Sequence, residues 1–338
     1  MKTALVIGPN FFYFPDAVCA AFRNLGYEPV LFGFDTPITP YRGFQKVKWK
    51  FAKDKEALVY KSKLHFNVSV LEKYETLRPD VVFVMNGDIF LSETIDTFRR
   101  NSKVALWLFD TLSRLSSSVV ELAAHVDALF CFDMNDVRRF NDIGIEAHFL
   151  PQACDVTVYH PIGNSVKDID ILFVGNMYNS PKRKAAVLDV IRHFPDRKIL
   201  VYGLFQPWYK GLLKWAVRPY KSVIRNVNLA PEDVNMLYNR SRVVLNIHEE
   251  HQKDGANPRL FEICGSGALQ VCDANPYVKS LFGDSVMLYS DRDGMFTAIE
   301  RSLAGDCADR AAKACEKVRM EHTFDNRIRE VLNILQLL

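Results

Sequence analysis

Residues 254–268 read DGANPRLFEICGSGA, and the order of elements they imply sets the fold of the chain. Asn257 is suited to cap a helix and Pro258 to open it, because Asn accepts an otherwise orphaned amide and the Pro φ is already helical. A short apolar helix over 258–264 then runs into Gly265-Ser266-Gly267 and an apolar strand over 268–272. Upstream, 243–247 is a second apolar run bounded by polar residues. Strand, loop, helix, Gly-rich turn and strand make the βαβ unit of a parallel sheet covered on both faces.

The same rhythm fills the chain. In the first half, strands are expected at 4–7, 29–34, 81–85, 104–109, 128–132 and 147–150, with helices at 16–25, 68–77, 93–99, 119–124 and 135–143. The Pro-containing, aperiodic segment 150–163 reads as a linker. Beyond it, strands at 169–174, 198–202, 243–247, 268–272 and 286–289 alternate with helices at 182–192, 231–240, 258–264, 275–282 and 293–304. A length of 338 residues suits two doubly wound domains of about 150 residues each. The spacing predicts Rossmann-like α/β domains at 1–155 and 165–318, then a helix over 319–338.

Hydrophobic residues at 49% and charged residues at 25% exclude disorder, collagen and coiled coil. No apolar run approaches the roughly 18 residues of a membrane span. The start closes on Gly8-Pro9 after Ala4-Leu5-Val6-Ile7, a first strand and not a signal peptide, so the expected location is cytoplasmic. Seven cysteines without a C-x-x-C pair read as buried free thiols. A net charge of +3 gives no reason to expect nucleic acid. Basic and aromatic residues interleave at 42–63 and 206–225, and those at 210, 214 and 218 would share a helical face. Peripheral contact with an anionic membrane, at its inner face, is the expectation, each Lys or Arg near the surface contributing about 1 kcal/mol.

The helix opened by Pro258 presents free N–H groups and a positive dipole end to the loop holding Gly255 and Ala256, an arrangement suited to phosphate. Glu262, four residues past Pro258, can accept bonds from a ribose diol near that end. Asp254, eight residues before Glu262, lies just outside the helix within reach of sugar hydroxyls.

The 254–262 stretch resembles the E-x7-E region of retaining glycosyltransferases of the GT-B fold, family-4-like enzymes, with Asp254 in place of the first Glu. N-x-R-x-F-E over 257–262, followed by a Gly-rich turn and an apolar strand, resembles the CgeB-type (spore maturation protein-like) family. The resemblance implies a GT-B fold with two Rossmann-like domains facing across a cleft, and a nucleotide-sugar donor in the C-terminal half. It implies Glu262 on the ribose and the loop Gly255, Ala256, Asn257 and Arg259 on the sugar and diphosphate. No metal is expected, and no cofactor beyond the nucleotide-sugar as co-substrate. The segment 170–184, DILFVGNMYNSPKRK, opens the second half as in those enzymes, with Gly175 in its turn and Arg183 at a helix start. A cation there can neutralise a diphosphate leaving group, whereas Lys184 reads as solvated. The stretch 226–232, NVNLAPE, matches the region that passes the base and brings in Asn228, and Tyr202 ends a strand where a base could stack. Similar enzymes return the C-terminal helix to the N-terminal domain.

In the first half, ligands should meet the carboxyl ends of the strands, which carry Asn10, Asp88 and Asp110. WLFD over 107–110 resembles the W-x-x-D element of the CgeB-type family. A retaining front-face transfer needs no protein nucleophile, because the departing phosphate can take the acceptor's proton. An inverting one needs a base, for which Asp110 or Asp88 could serve; the resemblance favours retention. His248 beside Glu249 and His251 suggests a metal, but the spacing matches neither H-E-x-x-H nor D-x-D. The leading expectation is a glycosyltransferase acting on a glycan, lipid-linked or cell-surface acceptor. A sugar-nucleotide 2-epimerase-like enzyme and a non-catalytic nucleotide- or polyanion-binding module are the alternatives. Gly8-Pro9-Asn10 lacks G-x-G-x-x-G and argues against a nicotinamide.

Overall fold

The computed structural model describes residues 2–10, 13–34, 54–205, 220, 222–305 and 307–338. Most of the two basic aromatic segments, 42–53 and 206–219, lies outside the described residues. The chain divides into two compact units, residues 1–151 with 324–338, and residues 152–323. The segment expected as a linker therefore belongs to the second unit from Gln152 onward.

The first unit is built on a six-stranded sheet: β1 (Lys2–Pro9), β2 (Tyr27–Phe34), β3 (Val81–Met85), β4 (Lys103–Leu108), β5 (Ala128–Cys131) and β6 (Ala147–Phe149). The order is β2-β1-β3-β4-β5-β6, every pair parallel, with Val84 opposite Ile7 and Trp107 opposite Met85. All five residues of β3 are buried, as a strand covered on both faces requires. The covering helices are α1 (Phe14–Asn24), α2 (Lys55–Leu77), α3 (Ser92–Arg99), α4 (Ser118–Ala123) and α5 (Met134–Asp142). Helix α2 runs 23 residues, not the ten expected, and Asp54 caps it by accepting from Ala57 N at 2.9 Å. Its first half carries exposed Tyr60 and Leu64, so the apolar period that marks a packed helix is missing there.

The second sheet holds β7 (Ile169–Val174), β8 (Ile199–Tyr202), β9 (Ile224–Arg225), β10 (Ser241–Asn246), β11 (Gln270–Asp273) and β12 (Met287–Tyr289) in the order β12-β11-β10-β7-β8-β9, again parallel throughout. Counted along this unit the order is 3-2-1-4-5-6, that of a dinucleotide-binding sheet. Its helices are α6 (Pro181–His193), α7 (Pro231–Arg240), α8 (Pro258–Gly265), α9 (Pro276–Phe282), α10 (Arg292–Ala304) and α11 (Ala308–Glu321). A break at His322-Thr323 separates α11 from α12 (Phe324–Ile334), and Cys154 N holds the break by donating to His322 O at 2.9 Å. Helix α12 packs in the first unit, where Phe324 lies edge-on to Trp107, Arg327 Nε donates to Pro151 O at 2.8 Å and Asn24 donates to Asp325.

At the carboxyl ends of β7 and β8 two backbones touch. Gly203 has φ +127°, and a Cβ there would collide with the carbonyl of Gly175. Gly203→Ala is expected to lower unfolding free energy by about 2 kcal/mol or more, since both the left-handed backbone and the close approach oppose a side chain. Urea denaturation checks this; a loss below about 0.5 kcal/mol would mean that the two turns separate freely.

Candidate active site

In the second unit the strand order reverses between β7 and β10, and open α/β sheets bind ligands in the crevice outside such strand ends. Helix α8 begins there. Asn257 Oδ1 accepts from Leu260 N at 3.2 Å, while its Nδ2 donates to Asn246 Oδ1 at 2.9 Å. Asn246 Nδ2 donates to Gln270 Oε1 at 2.8 Å, and Gln270 Nε2 donates to Leu260 O at 3.1 Å. A buried ring of side-chain amides thus clamps the first turn of α8 to β10 and β11. Asn275 Nδ2 donates to Gly255 O at 2.8 Å and holds the preceding loop, in which Gly255 and Ala256 are buried. The first amides of α8 have no intrahelical acceptor and carry the positive dipole end.

The Arg259 guanidinium lies over Gly175, where an added Cβ would stand 3.3 Å from Nη1. Arg259 Nε and the Tyr238 hydroxyl on α7 are buried without a hydrogen-bond partner among the described residues. Glu262 is 6% exposed. Burial raises the Tyr238 phenol well above its usual range, the Glu262 charge adds to the rise and Arg259 opposes it. Burial and Glu262 act on Tyr159 in the same sense. An unsatisfied buried polar group costs about 1–3 kcal/mol, so two of them beside a buried carboxylate and a helix N-terminus form a set complementary to a polar ligand.

Arg183 stands one turn inside α6, expected to face a diphosphate, and its side chain is only 5% exposed. Its Nε donates to Ile247 O at 2.8 Å, Nη1 donates to Asn176 O at 3.4 Å, and the guanidinium pairs with Glu249. Burial and then repulsion from Arg259 bring its pKa down to about 9, against the pull of Glu249 and Asp273. Arg183 thereby braces the loop between β10 and α8. Lys184, expected to be solvated, places its Nζ 4.2 Å from the Phe205 ring centre. Tyr202 is half-buried at the end of β8, Asn228 is exposed before α7, and Asp254 is half-buried ahead of α8.

Sequence spacing missed a buried cluster that joins the ends of β10 and β11. Asp273 Oδ1 accepts from His248 N at 2.9 Å and lies 2.8 Å from His248 Nδ1, while Lys182 Nζ donates to Asp273 Oδ2 at 2.6 Å. Burial alone would raise the Asp273 carboxyl, yet the His248 bond and the His248 and Lys182 charges hold it well below the usual range. His248, Cys272 and Asp273 bring ligand atoms within 4.8 Å of one another, the group among the described residues that could hold a metal. Lys182 already supplies the cation that Asp273 needs, which opposes a second one. The signal in the sequence was the polar residues ending two apolar runs, LNIH and QVCD.

In the first unit the order reverses between β1 and β3. Asn10 follows β1, and its N donates to Phe34 O at 2.8 Å. Asn86, at φ +69°, accepts from Phe109 N at 2.7 Å and so ties the turn after β3, with Asp88, to the turn after β4, with Asp110. Burial raises the Asp88 carboxyl and Asp110 adds to this, while its backbone amide and Lys63 lower it. Asp110 Oδ2 lies 3.6 Å from Arg114 Nε. Trp107 is fully buried and donates to Leu150 O at 3.0 Å, so the tryptophan of W-x-x-D is a core residue.

Breaking a buried ion pair leaves an uncompensated charge, so Arg183→Ala is expected to cost about 3 kcal/mol of stability; chemical denaturation giving less than about 1 kcal/mol would show the pair to be no stronger than an exposed one. Asp88 has a folded pKa above its unfolded one, so its native state binds more protons and stability falls as pH rises from about 4 through the folded value. Asp88→Asn is therefore expected to stabilise the protein at pH 7 and to flatten that decline; an unchanged slope of stability between pH 4 and 7 would contradict the assignment.

Residues 183–333, from α6 into α12, match a family model described as glycosyl transferase-like. No curated protein sequence matches the chain. Among solved structures, trehalose-6-phosphate synthase OtsA is similar at 14% identity and TM-score 0.73, covering 100% of this chain and 99% of that one. Sucrose-phosphate synthase from Thermosynechococcus elongatus gives 10% identity and TM-score 0.72, covering 99% and 98%. AviGT4, a glycosyltransferase involved in avilamycin A biosynthesis, gives 16% identity and TM-score 0.63, covering 99% and 97%. At such identities the likeness establishes the fold. The chain has the GT-B fold, two Rossmann-like units on parallel six-stranded sheets, and bears a glycosyl transferase-like region over residues 183–333.

Proposed function

We propose that the protein transfers a sugar from a nucleotide-diphosphate donor held at the N-terminal mouth of α8 to a glycan, lipid-linked or cell-surface acceptor, with retention and without a metal. The observation that carries this reading is the pair of buried polar atoms without a partner among the described residues, Arg259 Nε and Tyr238 Oη, flanking buried Glu262 at the switch point of a dinucleotide-type sheet. The glycosyl transferase-like match over the same region and the CgeB-type wording of 257–262 support it.

In this reading Glu262 accepts hydrogen bonds from the ribose diol and Asp254 from donor-sugar hydroxyls. Gly175, Gly255 and Ala256 let the diphosphate approach backbone amides, Asn257 holds the helix end that receives it, and Arg259 supplies the cation as the leaving group gathers charge. Arg183 acts on the diphosphate by fixing the loop that carries these groups. The departing phosphate takes the acceptor's proton, so Asp88 and Asp110 in the first unit serve acceptor recognition, with Asn10 at the end of β1, the strand next to β3.

A thermal-shift panel of UDP, GDP, dTDP, ADP and CMP is expected to show one clear stabiliser. Glu262→Gln should weaken binding of that nucleotide about 10- to 100-fold, the equivalent of one charged hydrogen bond of about 1.5–3 kcal/mol, with the melting temperature of the free protein nearly unchanged. A panel in which no nucleotide shifts the melting point, or a variant that binds like the parent, would overturn the assignment.

A further inference from the structure

The second unit has a large cavity at the other end of its sheet, beside the amino ends of β7, β10 and β11. Its volume is about 790 Å³, within the roughly 300–1,000 Å³ of ligand pockets. Leu269 and the face of α11 formed by Ala308, Ala311, Ala312 and Cys315 line it with small apolar groups. Helix α11 rests on α8 here, Cys315 Sγ donating to Gly265 O at 3.4 Å. The cavity thus abuts the C-terminal end of the helix whose N-terminal end is the proposed donor cradle.

Its charges are unbalanced. Among the described residues, Lys167, Arg242 and Arg319 line it against one carboxylate, Glu316. Arg242 is engaged, pairing with Asp170 at 3.1 Å and donating to Leu303 O at 2.6 Å. Lys167 and Arg319 make no ion pair among the described residues. Lys167 and Arg319 both stand exposed at the mouth of the cavity, open to a ligand from solvent. Met320, which lines it, is 70% exposed, and Val166, the residue before Lys167 in the chain, is 75% exposed. Large apolar side chains left in water around an apolar hollow mark an interaction site, and two unpaired cations at the same mouth select the sign of its ligand.

We propose that this cavity binds a single-chain anionic amphiphile, an alkyl chain lying along Leu269 and α11 with its acidic head between Lys167 and Arg319. The apolar walls reward the chain, and the head meets two cations that make no ion pair among the described residues. This site is independent of the donor assignment, and its test reads binding instead of transfer.

The probe is dodecyl phosphate below its micelle concentration, titrated calorimetrically into the full chain beside inorganic phosphate and dodecanol. Dodecyl phosphate is expected to bind at least tenfold more tightly than either control. Ala312→Phe, which fills the hollow, and the surface pair Lys167→Glu with Arg319→Glu, which leaves the core intact, should each weaken it tenfold or more while the melting temperature stays within about 2 °C. The proposal is overturned if the parent does not bind dodecyl phosphate, if dodecanol binds equally well, or if the folded charge-reversed variant keeps the parent's affinity.

Discussion

The amide ring of Asn246, Asn257 and Gln270 is the constraint on which the second unit's chemistry depends. Each of these side chains is almost fully buried, so each must find partners inside the protein or lose the hydrogen bonds that water would have made. They satisfy one another and the α8 backbone, and in doing so fix where a short helix begins. An eight-residue helix has little intrinsic stability, so its first turn stays in place because β10 and β11 hold it. The dipole end and free amides are useful to an anion only at that fixed position.

Around this mouth the protein is overdetermined on one side and unfinished on the other. Arg183 with Glu249, and Lys182 with Asp273 and His248, neutralise their buried charges internally. Arg259 Nε and Tyr238 Oη remain unmatched among the described residues, beside Glu262. The first group pins the strand ends and the loop; the second leaves polar groups open to a polar ligand. The division explains why two arginines close enough to repel each other take different parts: one is spent on the scaffold and the other faces the crevice over Gly175.

The first unit follows the same rule with different parts. Asn86, in a left-handed turn, ties the ends of β3 and β4 and keeps Asp88 and Asp110 close enough to influence each other. An acid held partly buried next to a second acid is strained electrostatically, an arrangement that stable scaffolds avoid and sites of proton exchange use.

Apolar run length and end caps determined much of this protein from sequence alone. The strands 81–85 and 169–174 and the helix 231–240 stand where the period and the punctuation put them, and Asn257-Pro258 marks the start of α8 to the residue. These features are local: burial on both faces writes a continuous apolar run, and a cap needs only its own neighbours. Tertiary structure alone decided which polar residues meet. The link of His248 to Asp273, the pairing of Arg183 with Glu249 and the approach of Gly203 to Gly175 join residues 25, 66 and 28 positions apart. No local spacing encodes them, because strand order, not chain order, sets their distance. The length of α2 escaped for the opposite reason: its exposed first half buries too little to leave a pattern.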